Sequence, residues 1–310
     1  MFSIIVPVYR NSESIPALIE RLSTLSRSSS DEIEVVFVID GSPDGSAELL
    51  RAVLKNCPFQ SLLVSHSRNF GSFEAIRTGL AKASGPHFAV MAADLQEPAE
   101  LVKKMVAELE KGANVVLGTR ESREDPLGQR TAARIFWWIY RWIQPDMPVG
   151  GADVFACDQA VRDKLLVLRE ANSSLLGLLV WLGFRRVEVP YKRLSSQAGP
   201  SSWTFSRKFR YLMDSLFAFS DLPIRLMLIC GGIGILTALI LAFCVITARL
   251  SGLVSVPGYT ATVLIVMFFG GLNLFGLGII GSYLWRTFEN TKGRPPACVQ
   301  SVERYTPNPS

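Results

Sequence analysis

Short apolar runs rich in β-branched residues alternate with amphipathic stretches along the first 120 residues of the chain. This alternation predicts consecutive strand and helix units, and therefore an α/β fold with a mostly parallel sheet and flanking helices. The predicted strands are residues 3–8, 34–39, 61–65, 87–92 and 114–118. The predicted helices between them are residues 14–25, 46–54, 73–83 and 100–110, the last of which follows Pro98.

The C-terminal third contains two long apolar runs. Residues 226–248 and 253–285 include no Asp, Glu, Lys, Arg or His. As a helix, the first run would extend about 34 Å, which exceeds a hydrocarbon core of about 30 Å. In the second run Pro257-Gly258 predicts a turn, so we expect its helix to begin near Tyr259 and to end near Leu284. The two runs predict a transmembrane hairpin.

Basic residues lie mainly at the outer ends of these runs. Arg207, Lys208, Arg210 and Arg225 precede the first run, Arg286, Lys292 and Arg294 follow the second, and Arg249 lies between them. Because cytoplasmic segments carry the excess of Lys and Arg, this distribution places both ends of the hairpin in the cytoplasm. We therefore expect a multi-pass protein of the cytoplasmic (inner) membrane, with the α/β domain and both termini cytoplasmic.

The predicted domain organisation has four parts. They are an α/β domain over residues 1–200, an interfacial amphipathic helix over 201–222, the two-helix hairpin over 223–285 and a cytoplasmic tail over 286–310. The basic and aromatic residues of 203–221 also suit an ordinary amphipathic helix packed on the α/β domain. The aromatic segment 134–143 likewise suits either the membrane interface or the protein core.

Composition and charge narrow the classes of partner. The formal net charge is +5, but the cations form neither a long block nor an RNA-binding signature, so we expect anionic lipid or phosphate and no nucleic acid. The five cysteines are widely spaced and indicate neither a disulfide framework nor a zinc site. The chain has no GxGxxG and no GxxxxGK[ST] motif, which argues against a dinucleotide-dependent dehydrogenase and a P-loop NTPase.

Polar residues follow each predicted strand, where ligands of open α/β sheets bind. The turns are Pro7-Val8-Tyr9, Asp40-Gly41-Ser42-Pro43-Asp44, Arg68-Asn69-Phe70-Gly71, Asp94-Leu95-Gln96 and a final turn beginning at Arg120. On an extended segment Asp94 and Gln96 would project to one side and offer two oxygens to a hard divalent cation, Mg²⁺ or Mn²⁺. Taken singly, each turn also suits a tight turn that caps the next helix.

Six motifs spread over nearly the whole chain carry a family resemblance. They are Ile5-Val6-Pro7-Val8-Tyr9, Val38-Ile39-Asp40-Gly41-Ser42-Pro43-Asp44-Gly45, Arg68-Asn69-Phe70-Gly71, Ala93-Asp94-Leu95-Gln96-Glu97-Pro98, Trp181-Leu182-Gly183-Phe184 and Phe219-Ser220-Asp221-Leu222-Pro223-Ile224-Arg225. Together they resemble the family 2 glycosyltransferases of GT-A fold. The subgroup is the polyprenyl-phosphate glycosyltransferases of bacterial type, related to dolichol-phosphate mannose and glucose synthases.

This resemblance implies a Rossmann-like GT-A domain, a divalent cation and transfer of a hexose, with inversion, from a nucleotide sugar to polyprenyl (undecaprenyl) phosphate. A UDP-sugar is the expected donor. The product would be a lipid-linked sugar for cell-envelope glycan or lipid modification. A second copy of the chain remains a candidate partner.

The resemblance also assigns roles to residues of this chain. The expected nucleotide-sugar contacts are Pro7, Tyr9, Asp40, Asp44, Arg68, Gly71 and Ala93. Asp94 and Gln96 are the expected metal ligands, and Asp94 and Arg120 the expected catalytic residues. The family places a phosphate-binding arginine after the fifth strand, so Arg120 is expected to bind the acceptor phosphate. Arg123, Arg130 and Arg134, the last two spaced i, i+4 on one helix face, are further candidates by their sequence positions and equally suit a basic patch that faces solvent or lipid headgroups. Asp153 matches an acidic family position that faces the sugar or the acceptor, and equally suits a structural turn.

Three positions depart from the family pattern, because Asn11, Ile39 and Ala92 stand where the family commonly has acidic residues. The departures motivate a catalytically silent membrane scaffold as one alternative. A processive polysaccharide synthase is another, although the nearest match to its QxxRW motif is the sequence QSVERY at 300–305, beyond the second run. Asp40, Asp44, Asp94, Gln96 and Arg120 are all retained, which favours the enzyme.

Overall fold

The computed structural model describes residues 1–120, 138, 140–148, 151–170, 173–194, 205–251 and 258–307. The described part contains eight strands. They are β1 (Phe2–Val8), β2 (Ile33–Ile39), β3 (Gln60–His66), β4 (His87–Val90), β5 (Val115–Arg120), β6 (Ala152–Asp158), β7 (Arg186–Tyr191) and β8 (Val299–Tyr305). The five strands predicted within the first 120 residues are confirmed as β1 to β5.

Nine α-helices are described. They are α1 (Ile15–Arg27), α2 (Ser46–Val53), α3 (Ser72–Lys82), α4 (Ala99–Glu110), α5 (Gln159–Val167), α6 (Leu175–Trp181), α7 (Phe205–Phe219), α8 (Leu222–Leu250) and α9 (Tyr259–Thr291). The four helices predicted between the first strands are confirmed as α1 to α4. Pro98 precedes α4 as the sequence predicts.

The strands form one mixed sheet in the order β7-β5-β6-β4-β1-β2-β3-β8. The pairs β1–β2, β1–β4, β2–β3 and β5–β7 are parallel, whereas β6 and β8 are antiparallel to their neighbours. Six strands therefore point the same way, and their carboxyl ends share one edge of the sheet. This is the edge at which ligands of such sheets bind.

Both faces of the central strands are buried, as the near-continuous apolar sequences of β1 and β2 require. Ile4, Val6 and Val8 face one core, which α1, α2 and α4 cover. Ile5 belongs to the opposite core with residues of α3, α5 and α6. The two cores hold the strand ends in fixed positions and so determine where the turns of the carboxyl edge lie.

Part of the predicted cytoplasmic tail over 286–310 forms a strand that was not predicted from the sequence. Residues Val299–Tyr305 form β8, which pairs with β3 in register from Ser61 opposite Tyr305 to His66 opposite Val299. The sequence of β8 is largely polar and gave no sign of this pairing, because an edge strand buries little of its surface. The chain after the second apolar helix is therefore part of the sheet.

Helix α7 is packed on the α/β domain, as one of the two sequence alternatives predicts. Tyr211 stacks on Tyr140 with ring centroids 5.6 Å apart, and its hydroxyl lies 2.7 Å from Ser174 Oγ. At the end of the helix Phe219 lies against Gly177 of α6, where an added Cβ would be only 2.5 Å from its ring. Helix α7 is thereby fixed to α6 and to the helical residues 140–143.

Helices α8 and α9 are long and apolar enough to cross a membrane. The qualifying stretches are Leu222–Ala248, with mean hydropathy 2.6, and Ile265–Thr291, with mean hydropathy 1.8, and each is 6% buried. Helix α7 contacts α9 as well, because Arg286 pairs with Asp214 at 2.7 Å and lies over the ring of Phe217. Helix α7 thus contacts both the α/β domain and the second apolar helix.

The aromatic segment 134–143 is described only at residues 138 and 140–143. Tyr140 is fully buried, whereas Trp138 and Trp142 are 53% and 70% exposed. The ring centroids of the two tryptophans lie 5.2 Å apart. The described residues of the segment therefore include two buried side chains, Tyr140 and Ile143, and two exposed indoles. Its placement at a membrane interface stays a prediction.

Substitution Gly177→Ala should loosen α7, because the added methyl group overlaps Phe219. We expect a loss of about 1–3 kcal/mol in the free energy of unfolding, seen as a lower midpoint of thermal unfolding in detergent. Gly45→Ala is the matched control, since an added Cβ there meets no atom within 4 Å. Equal midpoints for both variants would contradict the docking of α7.

Candidate active site

The turns after β1 and β2 are hydrogen-bonded to each other. The amide of Arg10 donates to Ser42 Oγ at 2.7 Å, and the amide of Ser12 donates to Asp44 Oδ2 at 3.1 Å. Arg10 adopts a left-handed φ of 57°, which is uncommon outside glycine. Strain of this kind persists where surrounding contacts hold the backbone, and it often marks functional turns.

The predicted donor residues of these two turns differ in exposure. Tyr9 is 38% exposed, and Pro7 is half-buried within β1. Asp44 also accepts a hydrogen bond from Ser42 Oγ at 2.6 Å. Burial alone would raise the pKa of Asp44, but the hydrogen bonds from Ser42, Ser46 and Ser12 outweigh it and lower the pKa. Asp44 is therefore a charged acceptor that shapes the turn.

Asp40 is buried at the end of β2 and holds the loop that follows β3. Its carboxylate accepts the amides of Phe70 and Gly71, both at 2.8 Å, and lies 2.9 Å from His66 Nδ1. Only 2% of Asp40 is exposed. Burial would raise its pKa, but the hydrogen bonds from His66, Phe70 and Gly71 prevail and lower it. The structure thus gives Asp40 a positioning role, and its contact with a nucleotide stays a prediction.

His66 is a component of the site that sequence reasoning missed. Its Nδ1 faces Asp40, and its Nε2 lies 2.9 Å from Thr78 Oγ1 of α3. The histidine is 3% exposed and therefore supports the loop from within. Its place at the carboxyl end of an apolar strand, two residues before Arg68, was the available signal.

The loop 67–71 itself presents a cation to solvent. Arg68 is exposed, its guanidinium lies 4.1 Å from the centroid of Phe70, and it donates to the carbonyl of Asn69 at 3.2 Å. Gly71 has a φ of 103°, a conformation that favours glycine. Gly41 lies against the loop, since a Cβ there would be 2.3 Å from the carbonyl carbon of Arg68. The turns after β2 and β3 therefore form a single close-packed unit.

The segment 94–96 forms a tight turn, which corrects the extended conformation expected from the sequence. Leu95 has a left-handed φ of 62°, and the amide of Gln96 donates to Asp94 Oδ1 at 3.2 Å. Ser14 of the first turn donates to the carbonyl of Ala93 at 2.8 Å. Ala93 is 3% exposed, so it contributes backbone to this contact. The fourth turn is thereby joined to the first.

The residues present fit a divalent cation in part. Gln96 Oε1 is a buried oxygen with no hydrogen-bond partner among the described residues, and Asp94 is half-buried with one oxygen free of the turn bond. Both are hard oxygen donors of the kind that Mg²⁺ and Mn²⁺ take. Within the described ranges no three His, Cys, Asp or Glu side chains group closely enough to hold a metal by themselves. A cation would therefore also need oxygens from substrate or water.

Arg120, at the end of β5, is held by two residues from other strands. Its Nε and Nη2 donate to the two carboxylate oxygens of Asp153, and Tyr191 donates to the same carboxylate at 2.9 Å. Burial would lower the pKa of Arg120, but the bonded Asp153 raises it, so the guanidinium stays charged. Arg123, Arg130 and Arg134 lie outside the described residues. Tyr191 was not predicted as a site residue, because strand β7, to which it belongs, was not predicted from the sequence.

Glu97 connects the two halves of the site electrostatically. It is 4% exposed, and its Oε2 has no hydrogen-bond partner among the described residues. Burial, together with the charges of Asp94 and Asp153, raises the pKa of Glu97 to about 7. The sequence motif contained Glu97, but only the fold shows that it is buried near both of these carboxylates. The site therefore comprises the first three turns, which we call the donor side after the nucleotide-sugar contacts predicted for them. It also comprises an acidic region near Arg120, which we call the acceptor side after the role predicted for that arginine.

Asp40→Asn should lower the stability of the donor side by about 1.5–3 kcal/mol at pH 7, because charge-assisted bonds to His66 and two amides are lost. The lowered pKa of Asp40 means that its contribution is present above the ordinary value of 3.8 and is lost as the pH falls below it. The difference in thermal midpoint between wild type and variant should therefore stay nearly constant from about pH 7 to about pH 5 and shrink as the pH falls further to about 2. Asp31→Asn, at an exposed carboxylate, is the control. A constant difference across this range would contradict the role given to Asp40.

Comparison with known proteins assigns the chain to a family. Residues 3–160 match the model of glycosyl transferase family 2. The chain is 32% identical to the uncharacterized glycosyltransferase YkcC of Bacillus subtilis, with 96% of this chain and 93% of the relative covered. It is 30% identical to an undecaprenyl-phosphate 4-deoxy-4-formamido-L-arabinose transferase of Yersinia enterocolitica, covering 97% and 93%. It is 28% identical to the bactoprenol glucosyl transferase of Shigella phage SfII, covering 98% and 99%.

Solved structures confirm the fold. Glucosyl-3-phosphoglycerate synthase from Mycobacterium tuberculosis, in complex with phosphoglyceric acid, superposes with a TM-score of 0.52 at 18% identity, over 70% of this chain and 79% of its own. The expected GT-A architecture, a mostly parallel mixed sheet with flanking helices, is therefore confirmed. With the family model covering half of the sequence and full-length relatives of this identity, the chain belongs to glycosyl transferase family 2 and is a glycosyltransferase.

Proposed function

We propose that this glycosyltransferase moves a hexose from a UDP-sugar to undecaprenyl phosphate with inversion, and so makes a lipid-linked sugar for cell-envelope glycan or lipid modification. The observation that carries the proposal is the 93–96 turn at the carboxyl edge, where Asp94 lies beside a Gln96 oxygen that has no hydrogen-bond partner among the described residues. The next residue, Glu97, is buried close enough to Asp94 and Asp153 for both charges to act on it. The names of the relatives, which act on undecaprenyl phosphate or bactoprenol, support the acceptor class.

The donor would bind along the first three turns. Tyr9 and Arg68 are exposed there, and Asp40 and Asp44 fix the backbone around them. Asp94 and Gln96 would hold a divalent cation against the diphosphate. When bound, such a cation would stabilise the negative charge that develops on the departing diphosphate. The chain itself contributes the placement of the two oxygens, which the bonds from Ser14 and within the turn fix.

The acceptor requires no general base in this reaction. A phosphate monoester has a second pKa of about 6 and is largely dianionic at neutral pH, so one of its oxygens attacks the anomeric carbon directly. The bond from that carbon to the diphosphate breaks as the new bond forms on the opposite face, and the nucleoside diphosphate leaves. A single displacement of this kind inverts the configuration.

Arg120 would orient the acceptor phosphate, with Arg123, Arg130 and Arg134 as further proposed contacts. In the structure Arg120 is already paired with Asp153, so a bound phosphate would share or replace this carboxylate. The guanidinium can serve both, because it has donors on three nitrogens and only two of these face Asp153. Asp153 and Tyr191 therefore hold Arg120 ready at the end of β5.

The apolar helices α8 and α9 would place the site at the inner membrane. Arg225 near the start of α8 and Arg286 near the end of α9 put cations at the same end of the hairpin. Both ends would then be cytoplasmic, where nucleotide sugars are available. Helix α7, one of the proposed interfacial segments, contacts this end of the hairpin through Asp214 and Arg286, and Tyr140 of the other proposed segment stacks on Tyr211 of α7.

The proposal is tested by transfer of label from a panel of nucleotide sugars to undecaprenyl phosphate by the purified protein in detergent, with EDTA, Mg²⁺ or Mn²⁺. We expect a lipid-linked sugar from one UDP-sugar, formed only with the cation. Asp94→Asn should lower the rate about 100-fold or more and leave the thermal midpoint unchanged. Glu100→Gln, an exposed acid in α4, is the control for Asp94. Absence of product with every donor, from folded protein that also binds no nucleoside diphosphate, would favour a silent scaffold.

Arg120→Ala should raise the KM for undecaprenyl phosphate about 10- to 100-fold, the effect of one charge-assisted contact, with the KM for the nucleotide sugar unchanged. Steady-state kinetics with each substrate varied in turn measure both constants. Arg186→Ala, which removes another paired arginine at the amino end of β7, is the matched control. An unchanged acceptor KM in Arg120→Ala would remove Arg120 from the acceptor site.

A further inference from the structure

The chain beyond the second apolar helix returns to the donor side of the α/β domain. Helix α9 ends at Thr291, and β8 begins at Val299 and pairs with β3 along its whole length. Strand β3 leads directly into the loop 67–71, which contains Arg68 and whose Phe70 and Gly71 amides are hydrogen-bonded to Asp40. The segment after the hairpin therefore lies beside the strand that delivers this loop.

The beginning of β8 is hydrogen-bonded to the first residue of the loop. The amide of Ser67 donates to the carbonyl of Cys298 at 3.0 Å, and the strand register shifts between Ser65 and His66 just before it. Asp40 holds the other end of the loop through Phe70 and Gly71. The loop is thus held at its start by the C-terminal segment and at its end by β2.

The other end of β8 is attached to α2, the helix that follows the Asp44 turn. Arg51 Nε donates to Glu303 Oε1 at 2.9 Å, and Tyr305 donates to Glu303 Oε2 at 2.9 Å. Tyr305 also packs against the core that α2 covers. Strand β8 therefore contacts two elements of the donor side, the strand before the 67–71 loop and the helix after the Asp44 turn.

Without β8, the end of β3 would be an open sheet edge. Unpaired edges leave backbone donors and acceptors open, and strand ends with few contacts open most readily. Opening of the backbone at His66 and Ser67 would directly displace the loop, because His66 contacts Asp40, the residue that binds the loop amides. The pairing with β8 suppresses this motion at the point where the loop begins.

We propose that β8 is a positioning element for the nucleotide sugar, and that Glu303 is a positioning residue that acts through Arg51 and the β3 edge. The affinity for the donor then depends on residues that follow the apolar hairpin in the chain. The identity of the ligand rests on the proposed function. The acceptor side, formed by β5, β6 and β7 at the opposite end of the sheet, is independent of β8.

Charge reversal of the Arg51–Glu303 pair tests this role. Glu303→Lys places two cations together and should raise the KM for the nucleotide sugar about three- to fivefold, the scale of a partly exposed ion pair, with kcat and the acceptor KM unchanged. The double variant Arg51→Glu with Glu303→Lys should restore the donor KM. Glu48→Lys is the matched control, because Glu48 lies 3.7 Å from Arg51 but belongs to α2 and is 74% exposed.

Hydrogen exchange gives a second readout that needs no reaction. In Glu303→Lys, and more strongly in Val302→Pro, which interrupts the strand, amides of residues 67–71 should exchange faster while those of α4 stay protected. An unchanged exchange rate together with an unchanged donor KM would overturn the proposal. The proposal would also be overturned if Glu303→Lys lowered kcat and raised both KM values to the same extent and the double variant did not restore them. If wild type transfers no sugar, the proposed function fails, whereas the exchange result still decides the role of β8.

Discussion

The buried carboxylate of Asp40 is the interaction on which the donor side depends. It accepts two backbone amides of the loop after β3 and faces His66, which in turn reaches α3. Burying a carboxylate removes its hydration, and this cost is high unless protein groups replace the lost hydrogen bonds. The two amides and His66 replace them for Asp40. The turns after β2 and β3 therefore form one unit, into which Gly41 fits only because it has no side chain.

The repeating elements of the first 120 residues could be predicted from the sequence because their apolar patterns are local. The turn residues could be placed as well, since parallel strands bring their carboxyl ends to one edge. The contacts among these turns could not. Arg120 and Asp153 are separated by 33 residues, and β3 pairs with a strand more than 200 residues away, so neither pattern leaves a local mark. The left-handed conformation of Leu95 could not be predicted either, because leucine does not favour it and the surrounding structure imposes it.

The two sides of the site use charge differently. On the donor side Asp40 and Asp44 keep lowered pKa values because amides and hydroxyls surround them. On the acceptor side burial and neighbouring acids raise the pKa of Glu97, and Asp153 balances Arg120. The proposed lipid phosphate would thus meet a cation that is already oriented and partly neutralised by Asp153. Exchange of one anionic partner for another would suit an acceptor that binds as substrate and leaves as product.

Strand β8 also bears on how the protein is made. It is the last element of the sheet to leave the ribosome, after α8 and α9 have been synthesised. Until then β3 lacks its outer neighbour, and the nascent α/β domain carries an unfinished edge. Contacts of such large sequence separation form late in folding. The outer edge of β3 is therefore paired only after both apolar helices have been synthesised.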